Sequence, residues 1–172
     1  AFQGEIALQI TAVLGSTTGT DPEYIELTGM AGTSLEGFSI IVVESDVGPD
    51  TGRIDKQFDF TADHTFGENG VFLLGNPLVA STFGVTPNAE LSNDFLENSS
   101  YTIALVETAS ITGNTVAGTE VVTDAVAVLD SATDTPFFDA PVVGPDGTFL
   151  PAGFRRDGDT FSQLDFQNDP AI

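Results

Sequence analysis

Residues 21–44 read DPEYIELTGMAGTSLEGFSIIVVE and contain the strongest strand signals in the chain. In EYIEL, Ile25 and Leu27 alternate with Glu26, which is the period of two expected for a strand with one buried face. A glycine-rich connection leads to FSIIVVE, whose β-branched residues favour a second strand. Because that run is continuously apolar, it predicts a strand covered on both faces. Glu23 and Glu26 should point to opposite faces, so they predict no carboxylate pair.

Similar strand patterns recur on both sides of this segment, each bounded by Gly, Pro, Asn or Asp. They cover residues 5–15, 53–60, 70–75, 101–107 and 120–130, with a short strand at 160–166. Residues 91–98 fit one helical turn capped by Ser92. Short strands with hardly any helical period predict an all-β fold, an antiparallel β-sandwich of immunoglobulin type.

The length of 172 residues predicts a single domain, residues 1–172. From residue 130 onward the sequence is rich in loop signals and predicts a long irregular C-terminal wrap. Its anchors are expected to be Phe137, Phe138, Phe149 and Phe154. Residues 1–14 are apolar on one face, so we expect them either to join the domain's own sheet or to pair with a neighbouring subunit.

The chain is strongly acidic, with 26 Asp and Glu against 4 Lys and Arg and a formal net charge of −22. Such a surface repels phosphate backbones and anionic lipids, which argues against binding to nucleic acids and membrane surfaces. The longest apolar runs have the length of strands, so no membrane insertion is expected. A solvated anionic coat, divalent-cation binding and a basic partner all remain compatible with this charge.

Three acidic loops predict irregular calcium sites, at residues 44–55, 130–141 and 155–169. Carboxylates and loop carbonyls are the ligands that Ca²⁺ prefers, and no loop has the spacing of an EF-hand. The predicted metal ligands are Asp46, Asp50, Asp130 and Asp134. The alternative is turn chemistry, since Asp, Gly and Pro build turns without an ion.

The sequence offers little for catalysis, and we expect no enzyme. It has no Cys, a single His64 beside Asp63, and no nucleophile elbow, zinc-protease motif or phosphate loop. A histidine in a polar turn is expected to be exposed rather than catalytic. Arg155 and Arg156 are expected to form specific ion pairs, within the fold or with a neighbouring subunit.

Several of these segments together resemble the lamin-tail domain family of exported bacterial and archaeal proteins. The resemblance lies in EYIEL (23–27), SLEGF (34–38), and LEN (96–98) before ALV (104–106), and GPDGTFLPAGFRR (144–156) is similar to the ends of some bacterial members. Phe38 stands where Trp is common in the family. The resemblance implies an immunoglobulin-like sandwich without established catalytic residues, used for attachment, scaffolding or targeting.

These observations predict a non-enzymatic structural module, secreted or at the cell surface. The expected partner is the protein itself, in a homopolymer that forms a surface layer, matrix or extracellular filament, with Ca²⁺ as a stabilising ion. The alternative is an accessory binding or adhesion module for a polysaccharide or another surface polymer, whose candidate aromatic residues are Tyr24, Tyr101, Phe137 and Phe138. A small hydrolase that uses His64 ranks below both.

Overall fold

The computed structural model describes residues 7–15, 21–147 and 150–164. Its regular elements are eleven strands, one α-helix and one 3₁₀ turn, at Thr108–Ser110. They are β1 (Gln9–Leu14), β2 (Tyr24–Thr28), β3 (Phe38–Glu44), β4 (Ile54–Asp59), β5 (Val71–Gly75), α1 (Pro77–Phe83), β6 (Ala89–Glu90), β7 (Tyr101–Glu107), β8 (Val122–Val128), β9 (Val142–Val143), β10 (Gly153–Asp157) and β11 (Thr160–Leu164). Within these ranges no helix has the length and apolar character needed to span a membrane.

The strands form two packed sheets, which confirms the predicted all-β sandwich. The six-stranded sheet has the order β11-β10-β1-β2-β5-β6, and the five-stranded sheet has the order β4-β3-β7-β8-β9. The expectation of purely antiparallel sheets is wrong at two edges, because β6 pairs with β5 and β9 with β8 in parallel. The strands β6 and β9 have two residues each. Before each of them the chain crosses back, so that the strand runs in the same direction as the neighbour with which it pairs.

Strand β1 is internal to its sheet. It pairs with β10 on one edge and with β2 on the other. Residues 9–14 therefore pair within the domain's own sheet, which is the first of the two arrangements predicted for residues 1–14. Residues 1–6 lie outside the described residues.

The main core lies between the sheets, and strand β3 is buried on both of its faces. Ile40 and Val42 belong to the main core, whereas Ile41 and Val43 belong to a second apolar cluster. Phe137 and Phe138 pack against that second cluster. The continuous apolar run of β3 is thus explained, because the loop after β8 covers the outer face of its sheet.

The region after residue 130 is only partly an irregular wrap. Between residues 131 and 152, the described residues contain only the short strand β9, but β10 and β11 then form a hairpin around the turn at residues 158–159. Phe154 is fully buried in the main core. Phe149 and the predicted strand residues 165–166 lie outside the described part of the chain.

The one helix is not where the sequence placed a helical turn. Residues 91–98 contain no helix, whereas α1 begins after Asn76, whose side chain accepts a hydrogen bond from the N–H of Leu78 at 3.1 Å. Pro77 occupies the first turn and Gly84 ends the helix in a left-handed conformation. The helix packs on the outer face of the six-stranded sheet, where Val79 joins a third apolar cluster.

A largely buried ion pair connects the two sheets. Oδ2 of Asp124, on β8, accepts hydrogen bonds from the N–H of Ile10 at 2.8 Å and from Nη1 of Arg156 at 2.9 Å. The side chains of Arg156 and Asp124 are 10% and 14% exposed. The expected ion pair is confirmed for Arg156 within the fold, but Arg155 makes none with any described residue.

Candidate metal centre

Three of the four predicted metal ligands lie around one buried serine. The N–H of Ser100 donates to Oδ1 of Asp46 at 3.1 Å, and its hydroxyl donates to Oδ2 of Asp134 at 2.5 Å. The N–H of Asp130 donates to the Ser100 hydroxyl at 2.7 Å. These bonds attach the loops after β3 and β8 to Ser100, just before β7, and the carboxylates of Asp46 and Asp134 act there as hydrogen-bond acceptors.

The fourth predicted ligand, Asp50, lies apart from the other three. Its Oδ2 is 2.8 Å from Nη1 of Arg53, and both side chains are largely exposed. The geometry thus corresponds to the turn-chemistry alternative for these aspartates. Across the ranges that the structure describes, none of the four belongs to a group of three or more acidic side chains close enough to share an ion.

Such a group does exist nearby, and it consists of Glu44, Asp55 and Glu97; we call it the acidic triad. One carboxylate oxygen of each residue lies within 4.8 Å of those of the other two. Calcium–oxygen distances of about 2.4 Å place oxygens on opposite sides of an ion about 4.8 Å apart. The spacing of the triad is therefore compatible with one shared Ca²⁺.

The fold brings the triad together from three segments. Glu44 is the last residue of β3, and Asp55 is the second residue of β4 in the next strand of the same hairpin. Backbone hydrogen bonds close this hairpin, from the N–H of Glu44 to Arg53 and from the N–H of Gly52 to Glu44. Glu97 comes from the loop before β7, which is the neighbour of β3 on its other side.

Each triad carboxylate uses one oxygen in a local hydrogen bond. Oε1 of Glu44 accepts from the N–H of Asp46 at 2.9 Å, and Oε2 of Glu97 accepts from the hydroxyl of Ser99 at 3.1 Å. Oδ1 of Asp55 accepts from Nε of Arg53. These contacts orient the three carboxylates and leave a second oxygen on each.

The second oxygen of Asp55 distinguishes the triad from an ordinary acidic surface. Asp55 Oδ2 is buried and has no hydrogen-bond donor in the described structure, and the side chain is only 8% exposed. A buried carboxylate oxygen without a donor costs free energy, because it has lost its water without gaining a partner. A proton on Glu97 would satisfy this oxygen, and so would a cation shared with Glu44 and Glu97.

Burial is the largest cause that raises the pKa of Glu97, from 4.5 to about 7. A side-chain hydrogen bond shared with Asp55, followed by the charges of Asp55 and Glu44, raises it further. Near neutral pH the triad thus holds a proton for part of the time. A divalent cation at the same place would remove the repulsion and displace that proton.

The sequence contained part of the signal for the triad. Glu44 and Asp55 are the two ends of the first acidic loop, and the ends of a hairpin loop come together when the hairpin closes. The prediction chose residues inside that loop instead. Glu97 could not have been assigned, because its approach to Asp55 depends on the packing of a loop 42 residues further along the chain.

His64 is a packing residue in the structure. Its ring lies 5.6–5.8 Å from the rings of Phe58, Phe60 and Phe72, and its Nδ1 accepts from the N–H of Thr61 at 3.0 Å. It is half-buried rather than exposed as expected. No acidic side chain in the described ranges hydrogen-bonds to it, so the geometry gives the hydrolase interpretation no general base–acid pair.

The candidate aromatic residues for polymer binding do not form an exposed platform. Tyr24 and Tyr101 are 4% and 1% exposed. Phe137 and Phe138 are half-buried against the second apolar cluster. Stacking on a sugar requires an accessible ring face, so none of the four is well placed for it.

The chain matches none of the known protein families, curated proteins or solved structures with which we compared it. The resemblance to lamin-tail domains therefore stays a prediction, as does the immunoglobulin type of the sandwich.

Proposed function

We propose that the protein is a non-enzymatic, exported structural module that self-associates into a cell-surface layer, matrix or extracellular filament and binds Ca²⁺ at the acidic triad. The observation that carries this proposal is the convergence of Glu44, Glu97 and the donorless Oδ2 of Asp55 at one end of the five-stranded sheet. An ion there would connect β3, β4 and the loop before β7, and so stabilise the folded domain.

The triad also supplies a reason for copies to associate. Ca²⁺ takes six to eight oxygen ligands, and the three carboxylates leave several positions for water or for oxygens of a neighbouring molecule. Two copies with a net charge of −22 repel each other unless cations neutralise the contact. Association that depends on Ca²⁺ follows from both facts.

Strand β11 is the edge at which a second copy fits best. It is the last strand of the six-stranded sheet, and it pairs only with β10 among the described strands. Unpaired backbone groups on an edge strand are able to pair with another chain. The edge strand β4 of the other sheet is less available, because the N–H of its Ile54 already donates to the carbonyl of Asn114.

The experiment measures calcium binding by calorimetry and particle size by light scattering and negative-stain microscopy, with Ca²⁺ or with a chelator. We expect a Kd of about 10⁻⁴–10⁻³ M, the range of extracellular calcium modules, and growth of regular particles only with Ca²⁺. Because Glu97 must lose its proton, binding should weaken below about pH 7.

Asp55→Asn is the test variant, since it keeps the size of the side chain and an acceptor for Arg53 but removes the charge. Asp63→Asn, an exposed change of the same kind, is the matched control. Binding lost in Asp55→Asn and kept in Asp63→Asn supports the site. Equal binding by both variants rejects the site, and particles that stay single at saturating Ca²⁺ reject self-association.

A further inference from the structure

A cleft of about 360 Å³ lies on the outer face of the six-stranded sheet, on the opposite side of that sheet from the main core. The cleft is lined by residues of α1, including Val79 and Phe83, and by residues of the sheet, including Tyr24, Glu26 and Arg155. Cavities that bind small molecules begin at about this volume.

Two hydrogen-bonding groups of the cleft are buried and unsatisfied. Oη of Tyr24 and Nε of Arg155 have no hydrogen-bond partner in the described structure. Burial is the largest cause that raises the pKa of Tyr24, Glu26 also raises it, and Arg155 lowers it through its charge and a side-chain hydrogen bond, so the three side chains are neighbours. Each such donor costs free energy unless something pairs with it.

A carboxylate, Glu26, lines the same cleft, two residues from Tyr24 on β2 and two strands from Arg155. In the sheet register both Arg155 and Glu26 are opposite Ala12, on the two strands that flank β1. Their Cα atoms are therefore two strand spacings apart, about 10 Å, and their side chains emerge on the same face. Oε1 of Glu26 accepts from the hydroxyl of Thr11 at 2.8 Å, and no ion pair joins Glu26 to Arg155 within the described ranges.

The remaining lining is largely apolar. Val71, Leu73, Val85 and Phe83 contribute to the wall, and the ring of Phe83 meets that of Tyr24 edge-on at 6.2 Å between centroids. A volume of about 360 Å³ lies at the lower end of the range for sites that bind small molecules, which suits a molecule of the size of leucine or phenylalanine.

We infer that this cleft binds a free α-amino acid with an apolar side chain. Arg155 and Tyr24 donate to the ligand carboxylate, Glu26 accepts from its ammonium group, and the apolar wall takes the side chain. A zwitterion fits better than a simple anion, because Glu26 and the net charge of −22 disfavour an uncompensated negative charge. The inference is independent of the proposed calcium-dependent assembly.

The test is calorimetric titration of the full chain with leucine, valine and phenylalanine, with N-acetyl-leucine and leucinamide as matched probes that each lack one charge. We expect the amino acids to bind and both matched probes to bind at least tenfold more weakly. A panel of apolar amino acids that gives no binding overturns the inference, as does N-acetyl-leucine that binds as tightly as leucine.

Variants locate the binding. Tyr24→Phe removes only the unpartnered hydroxyl, so it should leave thermal stability unchanged or raised while it weakens leucine binding by about tenfold. Arg155→Gln should weaken binding by at least 100-fold, whereas Lys56→Gln, the same loss of charge in the other sheet, should not change it. Binding that survives Arg155→Gln would show that the amino acid occupies another place and would reject the assignment.

Discussion

Glu23 is a buried carboxylate that holds a distant loop. It is 3% exposed, and its two oxygens accept from the N–H groups of Phe95 and Leu96 at 3.0 and 3.1 Å. Glu23 therefore satisfies two backbone N–H groups of this loop without a helical turn at residues 91–98. Burial nevertheless dominates, and it raises the pKa of Glu23 from 4.5 to about 7.

The raised pKa makes the stability of the fold depend on pH. The folded state keeps the Glu23 proton up to about pH 7, whereas the unfolded state releases it near 4.5. Unfolding thus releases a proton between these values, so the free energy of unfolding should fall as pH rises, by at most about 1.4 kcal/mol per pH unit. This contribution is complete below about pH 4.5 and lost above about pH 7.

Urea unfolding at pH 5, 6, 7 and 8 checks this prediction with Glu23→Gln. The variant should be less stable than the wild type at pH 5, because the NH₂ of its amide cannot accept a hydrogen bond from the second backbone N–H. The stability that the variant loses between pH 5 and 7 should be smaller than the stability that the wild type loses. Glu97, whose pKa is also raised to about 7, adds a decrease of the same sign to both proteins. Glu36→Gln changes an exposed glutamate and is the control; equal slopes in all three proteins contradict the assignment to Glu23.

Single residues show what the sequence could and could not reveal. The period of two correctly placed Glu23 and Glu26 on opposite sides of the sheet, because alternation is a local property of strands. The partners of Glu23 lie 72 and 73 residues away along the chain. No local pattern specifies such contacts, and the same limit applies to the acidic triad and to the two donors of the cleft.

Strands were easier to predict than the short helix. Each predicted strand region from residue 5 to residue 130 contains a strand, since alternation and β-branched residues are local signals that the sandwich then satisfies. The helix α1 has only seven residues, including Val, Thr and Phe, and so has low helix propensity. Its Asn76–Pro77 start was a readable signal, but packing on the sheet maintains the helix.

The β1–β10 pairing depends on a glycine that the sequence analysis assigned to the irregular wrap. A Cβ at Gly153 would lie 1.8 Å from the carbonyl oxygen of Val13 and 2.7 Å from its carbon. Both contacts are to backbone of the paired strand, so neither can be relieved by turning a side chain. The close approach of β10 to β1 therefore requires a residue without Cβ.

Gly153→Ala should separate β10 from β1 and destabilise the protein by about 3 kcal/mol or more, because the strand must shift to relieve the overlap. Chemical unfolding measures the loss, and amide hydrogen exchange should show reduced protection in β10 and β11. Gly113→Ala is the control, since nothing lies within 4 Å of its added Cβ. A Gly153→Ala variant as stable as the control would show that the strands are not this close.

At the scale of the whole molecule, charge opposes compactness. A net charge of −22 is held on one sandwich of 172 residues, and the described ranges contain ion pairs only for Arg53 and Arg156. Both outer faces of the sandwich are covered by apolar clusters, under α1 on one side and under the loop after β8 on the other. Burial of apolar side chains in the main core and in these two outer clusters thus offsets the repulsion between surface carboxylates.

Salt should therefore stabilise the fold in two separable ways. Sodium chloride shortens the screening length from about 30 Å at 0.01 M to about 3 Å at 1 M, which weakens repulsion in the compact state more than in the expanded unfolded chain. The melting temperature should rise steadily across that range, in the wild type and in Asp55→Asn alike.

Calcium chloride at the same ionic strength should add a further increase in the wild type alone, because binding to the folded state adds RT ln(1 + [Ca²⁺]/Kd) to its stability. Calorimetric melting scans in the two salts measure both effects. A flat sodium chloride series would mean that surface repulsion does not limit stability, and an equal calcium increment in Asp55→Asn would mean that the ion acts on the surface as a whole rather than at the triad.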